Sequence, residues 1–288
     1  MHGPAFDRAA LMGSLAFSAH DAAWIADDVE ARAFADLFQA APRALRARLG
    51  LEVRAIAGAT LLIAPGFPTP LFNRAIGLGM SSRASTIHVR KIEDMYRKAG
   101  SAAWWLHWNP FALPQDLSAS LLESGFTRPR RRTWAKMLRA ALPAPAIATT
   151  LKVEPARDEQ VGALVDCIVR AFEMPAFMAQ WLADLQRRPR WTLYAATDHG
   201  AVVGGGCLFL DGDSAWLGMG SVLATHRRRG GQSALISRRI ADAIAQRATK
   251  LVTETGEPIA DEPNPSLANM ARCGFERVAS RLNLVAPA

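Results

Sequence analysis

A turn rich in arginine and glycine is the segment whose residue types and spacing most clearly permit chemistry. It covers Arg227–Gly231 and is followed directly by Gln232 and Ser233. The apolar run before it, Ala215–Leu223, predicts a strand, and apolar residues after it recur at helical spacing. A strand that enters a helix through such a turn places unpaired backbone N–H groups and the positive end of the helix dipole at one point. The segment therefore predicts a site for an anion such as a phosphate.

The spacing of this turn excludes two common phosphate loops. It lacks the Gly-Lys-Ser/Thr ending of a Walker A loop, and its glycines are not spaced as in Gly-x-Gly-x-x-Gly. It resembles instead the acyl-CoA loop of the GNAT superfamily of N-acetyltransferases, which reads Arg/Gln-x-x-Gly-x-Gly/Ala after a strand ending in Val. Arg227, Gly230 and Gln232 stand at the pattern positions, and Val222 precedes the arginine as in the family. Gln232 departs from the pattern, because a small residue is usual there.

A second segment, Asn264–Phe275, resembles a later helix of the same family. That helix opens near an Asn, carries a Ser or Ala eight residues before a Gly, and ends in Gly-Phe before the last strand. Ser266 and Gly274 keep this spacing, whereas Asn264 lies one residue closer than usual. A glycine there suits a left-handed helix end. The alternative is that the turn is an arginine-rich surface loop and both segments are ordinary helix boundaries.

The resemblance implies acetyl-CoA as the acyl donor and no metal. In the family the pantetheine arm runs between two strands that splay apart, and backbone N–H groups near the end of the strand that holds Ser221 would polarise the thioester carbonyl. The residues assigned to the coenzyme lie in the turn, the strand end before it and the start of the later helix. They are Val222, Leu223, Arg227, Arg228, Arg229, Gly230, Gly231, Gln232, Ser233 and Asn264.

The implied reaction transfers an acyl group from a thioester to an amine, which attacks only after it has lost a proton. Glu254 is the predicted base, because it lies on the strand next to the predicted cofactor channel, and Glu257 is the second candidate. An ion pair with an arginine is the alternative role for Glu254. Many relatives protonate the leaving thiolate with a Tyr four residues before the glycine of the later helix. Met270 stands at that position, so the thiolate must use water, another donor or none.

An internal repeat predicts the domain organisation. Gly125-Phe126 and Gly274-Phe275 are 149 residues apart (274 − 125), which is the size of one acetyltransferase domain. We therefore expect an α/β fold of two tandem GNAT-like domains, each with a mixed sheet and helices on both faces. The predicted boundaries are residues 1–142, a linker over 143–149, and residues 150–288 with the acyl-CoA site.

The two copies differ at the turn. Between Met80 and Ile87 the N-terminal copy has one arginine and no glycine, so bare backbone cannot approach a pyrophosphate and this copy is predicted to be degenerate. Its predicted elements are strands 76–80 and 104–108 and helices 86–98 and 114–123. The C-terminal copy is predicted to contain strand 150–154, helices 157–172 and 175–187, strands 191–197, 202–210 and 214–223, helix 231–247, strand 250–255, helix 265–273 and strand 276–286.

Apolar residues in the early helices of the C-terminal copy have two interpretations. In relatives this region covers the acceptor site, yet packing in the helix core is the more ordinary role for such side chains. The residues are Phe172, Met174, Phe177, Met178 and Trp181. The same choice applies to Trp104, Trp105 and Trp108, which could line a pocket or pack on a strand face.

Composition favours a globular protein of the cytoplasm. Of 288 residues, 50% are hydrophobic and 21% charged, and no apolar run reaches the roughly 18 residues of a membrane span. The run Ala9–Ser18 lacks a convincing signal-peptide cleavage site. Three widely spaced cysteines, Cys167, Cys207 and Cys273, are expected to be reduced core thiols.

A net charge of +8 raises the question of nucleic acid, but no nucleic-acid-binding motif is evident and Arg128–Arg132 is expected to be solvated surface. The predicted partner is a small-molecule or peptide amine, with no nucleic acid and no membrane. The sequence leaves the oligomeric state open. The predicted function is that of an acyl-CoA-dependent N-acetyltransferase; the alternative is a non-catalytic acyl-CoA-binding regulatory protein.

Overall fold

The computed structural model describes residues 17–101, 103–129, 133–259, 262 and 264–287. Within them, a single mixed sheet of eleven strands runs through both halves of the chain. The N-terminal half contributes α1 (Ala19–Ala40), α2 (Arg43–Leu49), β1 (Glu52–Ile56), β2 (Ala59–Ile63), β3 (Arg74–Ile76), α3 (Thr86–Ala99), β4 (Trp105–Trp108), α4 (Leu117–Glu123) and β5 (Thr133–Ala140).

The C-terminal half follows after a segment without regular structure. It contributes β6 (Lys152–Pro155), α5 (Asp158–Ala171), α6 (Phe177–Ala183), β7 (Trp191–Asp198), β8 (Ala201–Asp211), β9 (Ser214–Val222), α7 (Gly231–Ala245), β10 (Lys250–Gly256), α8 (Pro265–Arg272) and β11 (Glu276–Val285). The mixed α/β fold expected from the sequence is confirmed.

The two halves exchange their last strands. The order across the sheet is β1-β2-β3-β4-β11-β5-β10-β9-β8-β7-β6. Strand β5 of the N-terminal half pairs with β10, with Lys136 opposite Glu254, and β11 of the C-terminal half pairs with β4, with Asn283 opposite His107. The exchanged strands also pair with each other, so backbone hydrogen bonds join the halves. The boundaries at residues 142 and 150 stay a prediction.

Helices cover both faces of this sheet. Neighbouring residues of β5 illustrate this, because Leu138 packs with the core under α1, α5 and α6, whereas Met137 packs with the core under α7 and α8. Side chains of adjacent strand residues point to opposite faces. Helix α3 covers a third cluster in the N-terminal half.

The predicted elements of the C-terminal half are confirmed, with ends that differ by at most two residues. One exception is the predicted helix 175–187, which consists of α6 followed by a 3-10 turn over Asp184–Arg187. Locally encoded signals explain this agreement. For example, Asn264 caps α8 by accepting a hydrogen bond from the Ser266 N–H, and Pro265 takes the first helical position.

The N-terminal half differs more from expectation. Helix α3 agrees with the prediction, but the predicted strand 76–80 ends at Ile76 because Gly77 and Gly79 turn the chain with φ of +87° and +81°. Helix α4 begins at Leu117 and not at residue 114. The 22-residue α1 was not predicted from the sequence; it buries charged residues such as Glu30 in its middle.

The tryptophans in and next to β4 and the cysteines follow the packing interpretation. Trp104 and Trp108 are buried, Trp105 is partly buried, and all three cysteines are buried thiols without a disulfide. No helix in the described part of the chain is both long and apolar enough to cross a membrane. The expectations for Ala9–Ala16 and Arg130–Arg132 lie outside the described residues.

Candidate functional site

Strands β9 and β10 separate after a short stretch of pairing. Their parallel register covers only three pairs, the last of which is Val252 with Trp216. Beyond that pair, the Thr253 hydroxyl donates to the Leu217 carbonyl at 2.8 Å. From there β9 continues along β8, and β10 continues along β5. The splayed pair of strands that the family resemblance implied is therefore present.

A bulge bends β9 where it leaves β10. Gly205 pairs with Ser221 and Cys207 pairs with Gly218, so Gly206 alone lies opposite two residues, Met219 and Gly220. Met219 takes a left-handed conformation with φ of +54°. An extra residue of this kind breaks the ladder and redirects the strand, which is a common arrangement beside active sites.

The turn after β9 folds as the sequence predicts. Gly230 is the N-cap of α7 with φ of +78°, and a Cβ there would lie 2.5 Å from the Ala148 carbonyl oxygen. Both the conformation and the close approach require glycine. The first helical hydrogen bond runs from the Ala234 N–H to the Gly230 carbonyl. The N–H groups of Gly231, Gln232 and Ser233 therefore have no partner within the helix.

A cavity of about 650 Å³ joins this turn to the end of β9 and to α8. Seven of the ten residues predicted to bind the coenzyme line it, namely Val222, Arg227, Arg228, Gly230, Gly231, Gln232 and Ser233. No carboxylate stands among the described residues of this lining. The cavity is therefore positively charged at the end formed by the turn.

Three of the predicted coenzyme residues make other contacts and do not line the cavity. The Leu223 N–H donates to the Val203 carbonyl, and the Arg229 guanidinium donates to Asp198 at 2.8 Å. The side chain of Asn264 caps α8 and donates to the Thr255 hydroxyl. These three residues lie next to the cavity lining without being part of it, and their contact with a coenzyme stays a prediction.

Two cationic or titratable residues of the lining were missed by the sequence analysis. Arg272 lies on α8 on the same face as Ser266 and Asn269, because the three residues are spaced at i, i+3 and i+6. That spacing was a signal available in the sequence. His226 lies immediately before the turn, at the end of a short 3-10 helix, with Nε2 3.4 Å from Asp198 Oδ2.

The unusual Gln232 has a structural partner. A Cβ on Gly220 would lie 2.7 Å from Gln232 Nε2, so the glutamine side chain packs directly over the glycine of the β9 bulge. Both residues line the cavity. The long side chain at this position is therefore accommodated by the absence of one on the strand beside it.

The apolar residues proposed for the acceptor region divide between the two interpretations. Met178 and Trp181 are fully buried, and the Trp181 indole donates to the Leu37 carbonyl of α1. Met174 and Phe177 are partly buried against the same core. Phe172 alone lines the cavity, and 47% of its surface is exposed.

Glu254 lies outside the cavity lining, in the interior under α1. Its carboxylate accepts from the Lys136 ammonium at 3.1 Å and from the Trp216 indole at 3.0 Å. Burial raises the pKa of Glu254, and the positive charge of Lys136 opposes that shift. The ion-pair partner is thus a lysine and not the arginine considered in the sequence analysis.

The second base candidate, Glu257, is held by hydroxyl groups. Its carboxylate accepts from Thr133 Oγ1 at 2.6 Å and from Ser280 Oγ at 2.5 Å, and it pairs with Arg277. Burial alone would raise the pKa of Glu257, but these contacts lower it below the ordinary value. A carboxylate so stabilised is a weak proton acceptor.

In the N-terminal half, the segment around Leu113 occupies the space that corresponds to the gap between β9 and β10. Strands β3 and β4 are parallel neighbours, as β9 and β10 are. Beyond Ile76, however, the Leu113 N–H donates to the Gly79 carbonyl, and the Leu113 carbonyl accepts from the Ala84 N–H. A Cβ on Gly79 would lie 2.8 Å from the Leu113 oxygen, which shows how closely the two segments approach.

Comparison with solved structures identifies the fold. A GCN5-related N-acetyltransferase from Kribbella flavida is similar with TM-score 0.65 and 16% identity, over 91% of this chain and 95% of the other. A second, from Sphaerobacter thermophilus, has TM-score 0.60 and 15% identity over 84% of each chain. A tandem GNAT protein from the clavulanic acid biosynthesis pathway has TM-score 0.56 and 18% identity over 80% of this chain and 79% of the other.

The chain therefore has the fold of the GCN5-related N-acetyltransferases in its tandem form. No family model matches the sequence, and neither does any curated protein. The similarity is one of backbone fold and not of sequence, because fewer than one residue in five is identical.

Proposed function

We propose that this protein is an acyl-CoA-dependent N-acetyltransferase that transfers an acetyl group from acetyl-CoA to an amine of a small molecule or peptide. One observation carries the proposal: a single cavity connects the basic turn at the start of α7 with the bulged end of β9. The N-terminus of α7 and the end of β9 thereby border one continuous space, which supports the proposal. The tandem GNAT fold supports the same assignment.

The end of the cavity at α7 fits the pyrophosphate of coenzyme A. Three helix N–H groups, from Gly231 to Ser233, lie at the positive end of the helix dipole. Arg227, Arg228 and Arg272 add cationic side chains to the same lining. Guanidinium groups form charge-assisted hydrogen bonds with phosphate oxygens, which are about twice as strong as neutral ones.

The end of the cavity at β9 fits the thioester. Gly220, Ser221 and Val222 line it, and their strand has separated from β10, so backbone groups on that side are available to a ligand. N–H groups in such a place stabilise negative charge on a carbonyl oxygen. The amine nitrogen bonds to the carbonyl carbon, the carbon–sulfur bond breaks with its electron pair on sulfur, and the proton lost by nitrogen finally resides on the thiol or in solvent.

Glu254 remains our proposed base. Its raised pKa makes the carboxylate a stronger proton acceptor than an exposed one, and it stands on the strand that borders the gap. Because it does not line the cavity, a proton would reach it through water. The thiolate would take its proton from solvent, since Met270 occupies the position of the family's tyrosine.

The second candidate function is acyl-CoA binding without catalysis. Two observations favour it: Met270 offers no hydroxyl, and the Glu254 carboxylate is already engaged by Lys136 and Trp216. A protein of this kind would use the cavity to sense acyl-CoA. Both candidates would act in the cytoplasm, where three buried thiols stay reduced.

Two measurements test these functions. Acetyl-CoA binding is measured by calorimetry for the full chain and for Gly230→Asp, which places a negative charge at the phosphate end. We expect binding to be lost, whereas Gly200→Asp, a change at another left-handed glycine with open space around it, should preserve binding. Wild-type affinity in Gly230→Asp would refute the phosphate assignment. Release of free thiol with a panel of amines separates the enzyme from the binding protein.

A further inference from the structure

Arg239 of α7 is a buried arginine that packs directly against the bulge of β9. Its Nη1 donates to the carbonyl oxygens of Cys207 at 3.0 Å and Gly218 at 2.9 Å, and its Nε donates to the Leu235 carbonyl of its own helix. Cys207 and Gly218 are the residues that pair immediately beside the bulge. The Arg239 guanidinium therefore links β8 and β9 at the point where their regular ladder of backbone hydrogen bonds is interrupted.

Glycines on both strands make room for this guanidinium. A Cβ on Gly206 would lie 3.0 Å from Arg239 Cζ, and a Cβ on Gly220 would lie 3.1 Å from Arg239 Nη2. A side chain at either position would crowd the arginine and force it to shift. The bulge glycine that lines the cavity is thus in direct contact with a buried cation.

The charge of Arg239 has no carboxylate partner within the described part of the chain. Its hydrogen bonds all go to backbone carbonyls, whereas the neighbouring Arg238 pairs with Asp242 at 3.0 Å. Burial lowers the pKa of Arg239 to about 10, so the group stays protonated at neutral pH. Net positive charge therefore persists beside Gly220, in surroundings that screen it poorly.

We infer that Arg239 is a positioning residue for acyl transfer, which fixes the β9 bulge and places a positive charge close to the strand segment that would hold the thioester. The inference rests on the proposed function, because it assumes that the thioester lies against Gly220–Val222. When the amine nitrogen bonds to the carbonyl carbon, the π electron pair moves onto oxygen, and it returns as the carbon–sulfur bond breaks. A fixed cation against the strand, outside the cavity lining, stabilises that transient charge without contacting the substrate.

A purely structural role would give a different pattern among variants. If Arg239 only satisfies strand carbonyls, both Arg239→Lys and Arg239→Gln, which keep N–H donors, should polarise the thioester as the wild type does. If the charge matters, Arg239→Lys should preserve function better than Arg239→Gln or Arg239→Met. Arg238→Met is the matched control on the adjacent helix position.

The decisive measurement does not need the acceptor. Infrared spectra of acetyl-CoA labelled with ¹³C at the carbonyl, bound to the full chain, report how strongly the protein polarises the thioester. We expect the carbonyl band to move to lower wavenumber on binding in wild type, Arg238→Met and Arg239→Lys, and to move less in Arg239→Gln and Arg239→Met. Coenzyme affinity from calorimetry should change less than about threefold, because Arg239 does not line the cavity.

Once an accepted amine is known, kcat should fall about tenfold or more in the neutral variants with little change in KM. This is less than the roughly 100-fold loss typical of removing a direct oxyanion donor. A wild-type carbonyl shift in either neutral variant that folds and binds acetyl-CoA would overturn the inference and leave the proposed function standing. Absence of acetyl-CoA binding by the wild-type protein would overturn both.

Discussion

Arg281 of the last strand donates a hydrogen bond from Nη1 to Glu30 Oε2, in the first described helix 251 residues earlier. The same guanidinium group donates to Asp27 at 2.7 Å. Glu30 also pairs with Arg74 at 3.0 Å and with Lys136 at 2.6 Å, and Lys136 continues to Glu254. We call these six residues the junction cluster. It contains three carboxylates and three cations, and it ties α1 to the exchanged strands.

The first prediction concerns the central carboxylate of the junction cluster. Glu30→Gln leaves three buried cations with one anion fewer, and breaking a buried pair in this way typically costs about 3–5 kcal/mol. Urea denaturation at neutral pH measures the free energy of unfolding. The control is Asp28→Asn on the same helix, whose partly exposed pair with Arg32 is expected to contribute about 1 kcal/mol or less. Equal losses in both variants would contradict the prediction.

The second prediction concerns acid. Burial alone would raise the pKa of Glu30, but Arg281, Lys136 and Arg74 lower it well below the ordinary value. The unfolded chain then binds more protons at this residue, so its contribution to stability is complete above about pH 5 and is lost as the pH falls through the folded pKa. The urea midpoint of the wild type should fall as the pH drops below about 4. In Glu30→Gln the urea midpoint should depend less steeply on pH. The same pH dependence of the urea midpoint in both proteins would contradict this prediction.

The third prediction tests Glu254 as a base. Activity of Glu254→Gln should be reduced most at low pH, where the acceptor amine is protonated, and should approach the wild-type rate as the pH rises. The rate of thiol release against pH gives the profile. Glu257→Gln serves as the control, because the pKa of Glu257 is lowered by its hydroxyl partners and Arg277. A loss in Glu254→Gln that persists undiminished at high pH would indicate a structural role through Lys136 and Trp216 instead.

The fourth prediction separates two arginines near the turn. Arg272 lines the cavity, whereas Arg229 is paired with Asp198. Arg272→Ala should weaken acetyl-CoA binding about tenfold, in line with the loss of one charge-assisted hydrogen bond at a partly solvated site. Arg229→Ala should leave affinity within about threefold and act mainly on stability. If Arg229→Ala weakened acetyl-CoA binding more than Arg272→Ala, Arg229 would be the coenzyme-binding residue, as the sequence pattern predicted.

Local patterns were enough to predict the C-terminal half. The turn, its glycine and the helix after it are encoded by neighbours in sequence, so Gly230 and Arg227 were found without a structure. The exchange of β5 and β11 was not predicted, because strand periodicity is the same whichever strand lies alongside. Glu254 shows the same limit at the site: its strand was correctly located, but its partner Lys136 comes from the other half of the chain.

Helix α1 shows how charged residues can prevent a buried helix from being predicted from the sequence. Asp27 and Glu30 interrupt the apolar face of the helix, so its pattern suggests exposure, yet both side chains are fully buried because cations from three strands meet them. Arg239 was missed for a related reason. It lies four residues after Leu235 and three after Ile236, on the apolar face of α7, and the glycines on β8 and β9 create the space that buries its charged side chain.

The last prediction is the stoichiometry of coenzyme binding. Tandem copies suggest two sites, but in the N-terminal half Leu113 hydrogen-bonds to Gly79 and Ala84 and occupies the space that the splayed strands leave in the C-terminal half. Opening that space would break two backbone hydrogen bonds that the approach of a coenzyme does not replace. Calorimetry with acetyl-CoA should therefore give one site per chain, and Gly230→Asp should abolish all binding. A second, weaker site that survives in Gly230→Asp would show that the Leu113 segment moves aside.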